Sequence, residues 1–158
     1  MQNTYKKVSV TVALLALWAV ATAAQAPSPE DQLAAAEAKW AANKPKAYEF
    51  SLKFLACCVI RLGPGSEPMV FHVRNDIGSL TGVWAARPPQ ASQGMDKYST
   101  IDKVFAAIHE ELAKRPYRFE IEYDAALGYP RRFYAKRFEN ADDDHYTITI
   151  EGFRVLAR

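Results

Sequence analysis

The chain has 158 residues, a length that fits a single folded domain, and its positive and negative charges nearly balance. Its 20 Lys and Arg oppose 18 Asp and Glu, and removing Lys6 and Lys7 with the N-terminal segment leaves 18 against 18. A near-neutral domain lacks the basic face that nucleic-acid binding requires, so nucleic acid is excluded as a predicted partner.

The first 26 residues have the pattern of a secretory signal peptide. Lys6 and Lys7 precede an apolar run over Val8–Val20, and small residues follow at 21–26. The alternative is a single membrane anchor, but the run is shorter than the ~20 apolar residues that span a bilayer. The sequence therefore predicts cleavage, a secreted or periplasmic location in a bacterium, and no membrane insertion of the mature protein.

The first predicted helix of the remaining domain, residues 27–158, begins at Pro29 and ends near Ala42. Ser28 before it is a favourable N-cap, and proline is tolerated at the first helical position. The apolar residues at helical spacing are Leu33, Ala36 and Trp40. This stripe is predicted to face the core.

The second predicted helix follows Ser99 and Thr100, either of which is a suitable cap. Its apolar residues at helical spacing are Ile101, Val104, Phe105, Ile108 and Leu112. The side that carries His109, Glu110 and Glu111 is predicted to be exposed.

The rest of the domain alternates between apolar and polar residues, as half-buried strands do. The apolar positions are Tyr48, Phe50, Leu52, Phe54, Met69, Phe71, Val73, Phe119, Ile121, Tyr123, Phe133, Ala135, Tyr146, Ile148 and Ile150. A turn at 75–78 leads into a third strand predicted over Ser79–Ala85. The order α-β-β-β-α-β-β-β predicts an α+β fold, an antiparallel sheet of about six strands with two main helices on one face.

The apolar side of each element predicts one common core. Its members are Trp40, Phe50, Phe71, Phe105, Ile108, Ile121, Tyr123 and Ile148. The opposite face of the sheet is predicted to be polar with mixed charge, and it carries Glu49, Ser51, Lys53, Arg118, Glu120, Glu122, Thr147 and Thr149. Such a face suits polar protein contacts or water.

The most distinctive segment begins where a strand ends in Tyr123 and Asp124. A turn over Gly128, Tyr129 and Pro130 follows, then a strand and an acidic corner. We expect positive φ at Gly128 and an edge strand that starts at Pro130. Asp124 is predicted to accept hydrogen bonds from turn amides, which makes the motif a folding signal first.

This segment, with Asp142–Asp143 at its acidic corner, resembles the secreted bacterial domain-of-unknown-function family DUF6174. Trp40, the Tyr48-x-Phe50 strand and Thr100–Phe105 are similar to other parts of the family pattern. Two positions depart from it. The family usually separates its two cysteines by one residue, and it commonly has an acidic residue where Lys136–Arg137 stands here. The resemblance implies export, and the family carries no assigned activity.

The adjacent cysteines Cys57 and Cys58 are the sharpest candidate for chemistry. Neighbouring Cα atoms lie about 3.8 Å apart, whereas disulfides prefer at least ~4.4 Å, so a vicinal bridge would be strained and readily reduced. Three interpretations stay open: ordinary packing, a vicinal disulfide, and metal or intermolecular chemistry.

The acidic residues Asp124, Asp142, Asp143 and Asp144 raise the alternative of a calcium site, because clustered carboxylates bind hard cations. Their spacing matches no calcium loop, so we interpret 140–144 as a solvated hairpin connection and predict no metal. The three histidines, His72, His109 and His145, also lack ligand spacing. The chain has no phosphate loop, nucleophile elbow or zinc-protease motif, so no cofactor and no catalytic residue is predicted.

These observations predict an exported, non-catalytic binding or accessory module of the cell envelope. Its predicted partner is an envelope protein or a small ligand, and the sequence leaves the oligomeric state open. The alternative is a redox or metal-handling protein that uses Cys57 and Cys58. A hydrolase is a third hypothesis, which would require acidic and histidine side chains to converge in a pocket.

Overall fold

The structure, a computed structural model, describes residues 27–56, 68–87 and 93–157. Its helices and strands are α1 (Pro29–Asn43), β1 (Ala47–Ala56), β2 (Met69–Arg74), β3 (Ile77–Thr81), α2 (Ile101–Ala113), β4 (Arg118–Tyr123), β5 (Pro130–Lys136) and β6 (His145–Val155). The predicted α+β class and element order are confirmed. The signal segment 1–26 and both cysteines lie outside the described residues.

The six strands form one antiparallel sheet in the order β3-β2-β1-β6-β5-β4. Each half is a meander of neighbouring strands, and the two halves meet where β1 pairs with β6. The first and last strands of the domain are therefore the central ones. Within the part of the chain that the structure describes, no helix combines the length and apolarity that crossing a membrane requires.

Helix α1 forms as its sequence predicts. The Ser28 hydroxyl accepts a hydrogen bond from the amide of Asp31, which satisfies a donor that the helix cannot pair internally. Leu33, Ala36 and Trp40 are the buried residues. The Trp40 ring makes an edge-on contact with Tyr48 at 5.4 Å between ring centres, so this stripe fixes α1 against the sheet.

Helix α2 is capped by Thr100, whose hydroxyl accepts from the amide of Lys103. The Ile101 amide, which has no partner within the helix, donates to the hydroxyl of the buried Tyr48 at 3.1 Å. The buried residues of this helix are Ile101, Val104, Phe105, Ala107, Ile108 and Glu111. The start of α2 is thus hydrogen-bonded to the central strand β1. The buried side of the helix also includes one charged residue, Glu111.

The predicted core is confirmed for Trp40, Phe50, Phe71, Phe105, Ile108 and Ile148, which are all buried. Ile121 and Tyr123 are only half-buried, although they pack against that core. Both lie on β4, which is an edge strand with a neighbour on one side only. Side chains of β4 therefore stay partly exposed to solvent, because only one neighbouring strand lies beside them.

The opposite face of the sheet is polar, as predicted, and many of its charges form ion pairs. Glu49 pairs with His72 and with Arg154, and the second pair has an N···O distance of 2.7 Å. Lys53 pairs with Glu151 at 2.7 Å. Exposed ion pairs contribute little to folding stability, so these contacts mainly keep the face polar.

Two strand predictions were wrong in detail. The third strand was predicted over Ser79–Ala85, but β3 begins at Ile77 because the turn needs only Asn75 and Asp76, which both have positive φ. The same strand ends at Thr81, because Gly82 (φ 65°) turns the chain into a short 3-10 helix.

Pro130 starts a strand as predicted, but β5 lies inside the sheet between β6 and β4 and is not an edge strand. The pairing of β5 with β6 begins only at Arg132, opposite Thr149. Pro130 therefore lies before the first rung of that ladder, where its missing N–H is not needed.

Candidate functional site

The turn between β4 and β5 uses the side chain of Asp124 as predicted. One carboxylate oxygen accepts from the amides of Ala126 (3.0 Å) and Leu127 (2.7 Å). The backbone closes the same turn, since the Asp124 amide donates to the Tyr129 carbonyl at 2.8 Å. Gly128 has φ 84°, which confirms the predicted positive value. The carboxylate of Asp124 is thus committed to the turn.

This turn is also a docking element for α1. The Lys39 ammonium donates to the carbonyl of Ala125. A Cβ atom at Gly128 would lie 2.6 Å from the carbonyl oxygen of Ala36, so only glycine permits this approach. The next residue, Tyr129, stacks on Phe153 at 4.5 Å between ring centres. The most distinctive motif of the sequence is therefore a scaffold that joins β4 and β5 to the first helix.

The structure separates Asp124 from the acidic corner. Asp124 follows β4 at the end of β5 that holds Pro130, whereas Asp142 and Asp143 follow the opposite end of β5. The seven residues of β5 place these ends roughly 20 Å apart at about 3.3 Å per residue. A cation shared by Asp124 and Asp142–Asp143 is therefore ruled out by distance.

The neighbouring Asp144 also serves the backbone, because its carboxylate accepts from the Phe138 amide at 2.5 Å. His72 and His109 each contact a glutamate, Glu49 and Glu37 respectively. Among the described residues no group of three or more His, Cys, Asp or Glu is placed to hold a metal ion.

Cys57 and Cys58 follow directly after the last described residue of β1, Ala56, and lie outside the described residues. Packing, a vicinal bridge and metal or intermolecular chemistry therefore stay predictions. Thiol counting on the purified protein, with and without reductant, distinguishes the bridge from free cysteines.

A cleft that the sequence did not indicate lies at one end of the sheet, beside the C-terminal half of α2. Its volume is about 390 Å³, within the range of roughly 300–1,000 Å³ that is common for small-molecule sites. The described wall includes Phe54, Lys97, Tyr98, Glu111, Arg137 and Tyr146. These residues come from β1, α2, β6, the residue after β5 and the short 3-10 helix Asp96–Tyr98, so no single segment of sequence encodes the cleft.

The acidic residue of the described wall is Glu111, which is only 5% exposed. Its Oε1 atom contacts the Lys114 ammonium at 2.5 Å and lies 3.7 Å from the Arg137 guanidinium. Its Oε2 atom is shielded from solvent, and the carboxylate interacts with the Tyr146 hydroxyl, whose pKa it raises.

Three aromatic side chains form the apolar part of the cleft. The rings of Phe54 and Tyr146 stack at 5.5 Å between centres, and Tyr98 lies 6.5 Å from Phe54. Burial, and then the Glu111 carboxylate, raises the pKa of both tyrosine hydroxyls well above the usual value. Both phenols therefore stay neutral at physiological pH.

Burial also raises the pKa of the Tyr48 hydroxyl, and we expect alkaline pH to destabilise the domain. Below the ordinary pKa of 10.0 both folded and unfolded chains hold these protons; above it only the folded state does, so stability falls as pH rises. Tyr48 and Tyr98 should account for about 3 kcal/mol of the loss at pH 11, at ~1.4 kcal/mol per group per pH unit, and Tyr123 and Tyr146, whose pKa values burial also raises, should add to it. Urea melts at several pH values measure this loss.

Tyr98→Phe is the matched control for this pH dependence, because phenylalanine keeps the ring and removes the titrating group. The loss between pH 9 and pH 11 should be smaller by roughly 1.4 kcal/mol in this variant. An unchanged loss would show that Tyr98 titrates normally and is not buried as described.

The prediction that Glu111 lies on the exposed side of α2 was wrong. His109 and Glu110 are exposed, but Glu111 is buried. The spacing of the residues along α2 already indicated this burial. Glu111 follows Val104 by seven residues and Ile108 by three, which places it on the buried stripe. A charged residue at a core position of a helix was the one local indication of the cleft.

Comparison with known proteins gives one match. The model of DUF6174, a family of unknown function, matches residues 32–155, from within α1 to the end of β6. No curated protein and no solved structure matches the chain. Because the match covers most of the 158 residues and all the strands of the sheet, the chain belongs to the family of unknown function DUF6174.

Proposed function

We propose that this protein is an exported, non-catalytic binding module of the cell envelope that holds a small ligand in the cleft beside α2. The observation that carries the proposal is the cleft itself, whose wall combines three aromatic rings with the buried Glu111 carboxylate and the half-exposed Arg137. A few polar groups set in a wall of aromatic and apolar side chains are typical of sites that bind and orient small molecules. The N-terminal segment supports export, and mass spectrometry of the exported protein tests its removal.

The state of the groups in the cleft favours binding over catalysis. Proton transfer requires a side chain that titrates near the working pH. Burial raises the pKa of Tyr98 and of Tyr146 above the usual tyrosine value, so both hydroxyls keep their protons at physiological pH. The half-buried Tyr146 can therefore contact a ligand without exchanging a proton with it.

The test is ligand binding followed by protein NMR. Phenylacetate, phenylacetamide and phenethylamine serve as probes, because they share one ring and differ in charge. We expect at least one of them to shift the amide resonances of Lys97, Tyr98 and Glu111. Perturbation elsewhere, with none in the cleft, would contradict the proposal.

A variant that fills the cleft provides the specificity control. Met95 lines the cleft, and Met95→Trp should abolish the shifts by occupying the space that the probe needs. Ile77→Trp is the matched control, because Ile77 is exposed on the distant edge strand β3. Shifts that survive Met95→Trp unchanged would place the probes outside the cleft and overturn the proposed function.

A further inference from the structure

We infer that the cleft selects an anionic ligand, a carboxylate carried on an aromatic or apolar body, and that Arg137 and Lys97 determine this specificity. The inference rests on the proposed function, since it names the ligand class of the same site. Three observations support it: the balance of charge around the cleft, the positions of the cations Arg137 and Lys97, and the aromatic side chains of the wall.

The first step is the balance of charge. Glu111 is the acidic residue of the described wall, and its Oε1 atom already contacts Lys114 at 2.5 Å. Lys97 and Arg137 add two further positive charges at the cleft. Two cations and one carboxylate therefore line the described wall, and the nearby Lys114 and Glu110 offset each other, so an added anion is attracted and an added cation is repelled.

The second step is that no described residue accepts a hydrogen bond from the Arg137 side chain. Its guanidinium lies 3.7 Å from Glu111, beyond hydrogen-bond distance, and its side chain is half-exposed. The carbonyl of the same residue accepts from the Tyr117 amide at 3.2 Å, which fixes the backbone from which the side chain extends. A guanidinium beside a cleft, whose N–H groups are not taken up by the described residues, matches the two oxygens of a carboxylate.

Lys97 supplies the second cation. Its ammonium lies 4.8 Å from the centre of the Tyr98 ring, and no ion pair to it is formed within the described ranges 27–56, 68–87 and 93–157. A contact with the ring face keeps the charge near the cleft without neutralising it. Within the described part of the chain, Lys97 thus has no carboxylate partner and Arg137 has one at 3.7 Å, so both cations can attract an added anion.

The third step concerns the rest of the ligand. Phe54 and Tyr146, which are both half-buried, present ring surface, which contacts an apolar or aromatic body better than a strongly hydrated one. Tyr98 is only 2% exposed and supports these rings from behind. The Oε2 atom of Glu111 is also shielded from solvent, so it does not contact the ligand. Its charge instead holds Arg137 close to the cleft.

The first experiment compares the dissociation constants of the three probes through the amide shifts of Tyr98 and Arg137. Phenylacetate should bind roughly tenfold more tightly than phenylacetamide, the equivalent of one charge-assisted contact, and phenethylamine should bind most weakly. Phenylacetate binding should also weaken as salt is added. If the amide or the amine binds as tightly as the acid, the anion inference is overturned while ligand binding in the cleft stands.

The second experiment removes one charge. Arg137→Gln should weaken phenylacetate about tenfold and leave phenylacetamide unchanged, while Arg137→Lys should retain part of the affinity. Arg154→Gln is the matched control, because it makes the same charge change on the opposite face of the sheet, where Arg154 pairs with Glu49. If both variants weaken phenylacetate binding equally, the selectivity depends on the overall charge of the protein. That result would overturn the role of Arg137.

The outcomes separate the two proposals. If none of the three probes shifts a cleft resonance, the proposed function and the ligand class fail together. If the probes bind in the expected order but Arg137→Gln and Lys97→Gln leave that order unchanged, the assignment of the specificity to these two residues fails. Folding of each variant is checked in the same spectra, because resonances of the distant strands β2 and β3 must remain in place.

Discussion

Replacing Gly128 with valine should destabilise the domain by about 3 kcal/mol or more. A β-branched residue at φ 84° costs ~1–3 kcal/mol, and overpacking against a fixed neighbour costs ~1–3 kcal/mol more. The added Cβ would lie 2.6 Å from the Ala36 carbonyl oxygen and 2.9 Å from the Lys39 Cβ, both on α1. Urea denaturation of wild type and variant measures the loss.

Two further variants isolate the contact with α1. Gly82→Val meets a similar positive φ of 65° with no atom within 4 Å, so it should show the conformational cost alone. Asp124→Asn should be mild, because the amide oxygen still accepts from the turn amides. Equal losses in Gly128→Val and Gly82→Val would mean that the turn does not dock on α1.

Replacing Phe105 with alanine should cost ~3–5 kcal/mol, the usual effect of removing a large aromatic side chain from a core. Phe105 lies on the buried side of α2 and is only 3% exposed. The loss combines the transfer of the ring to water with the cavity that remains between α2 and the sheet. Urea denaturation again provides the measurement.

Phe138→Ala is the matched control for this truncation. Phe138 is 67% exposed, so removal of the same side chain there should change stability by no more than about 0.5 kcal/mol. A cost below about 1 kcal/mol for Phe105→Ala would show that the buried side of α2 has been assigned wrongly.

Local structure was readable from the sequence because its causes are local. Ser28 and Thr100 cap the two helices through their own side chains, and the spacing of apolar residues sets the buried side of each helix. Strict alternation identified the strands in the same way. Asp124 and Gly128 encode their turn within five residues, which is why its hydrogen bonds and its positive φ were predicted correctly.

The order of the strands required the tertiary structure. Hairpins predict which neighbours along the chain pair, but the central pair joins β1 to β6, the first and last strands of the domain. That choice placed β5 inside the sheet and β4 at its edge, which corrected the role of Pro130 and the burial of Ile121. No short-range pattern carries this information, because the pairing depends on which apolar faces the two helices can cover together.

The sequence by itself thus determined the two helices, the alternating strands and the turn at Gly128, each through interactions between residues close together in the chain. The cleft was decided only by the tertiary structure. The residues of its wall are distant in sequence and become neighbours only when α2 packs on the sheet beside the end of β1 and the start of β6. They include Phe54, Tyr98, Glu111, Arg137 and Tyr146. A site assembled from the ends of separate elements has no spacing of its own, because its geometry is a consequence of packing.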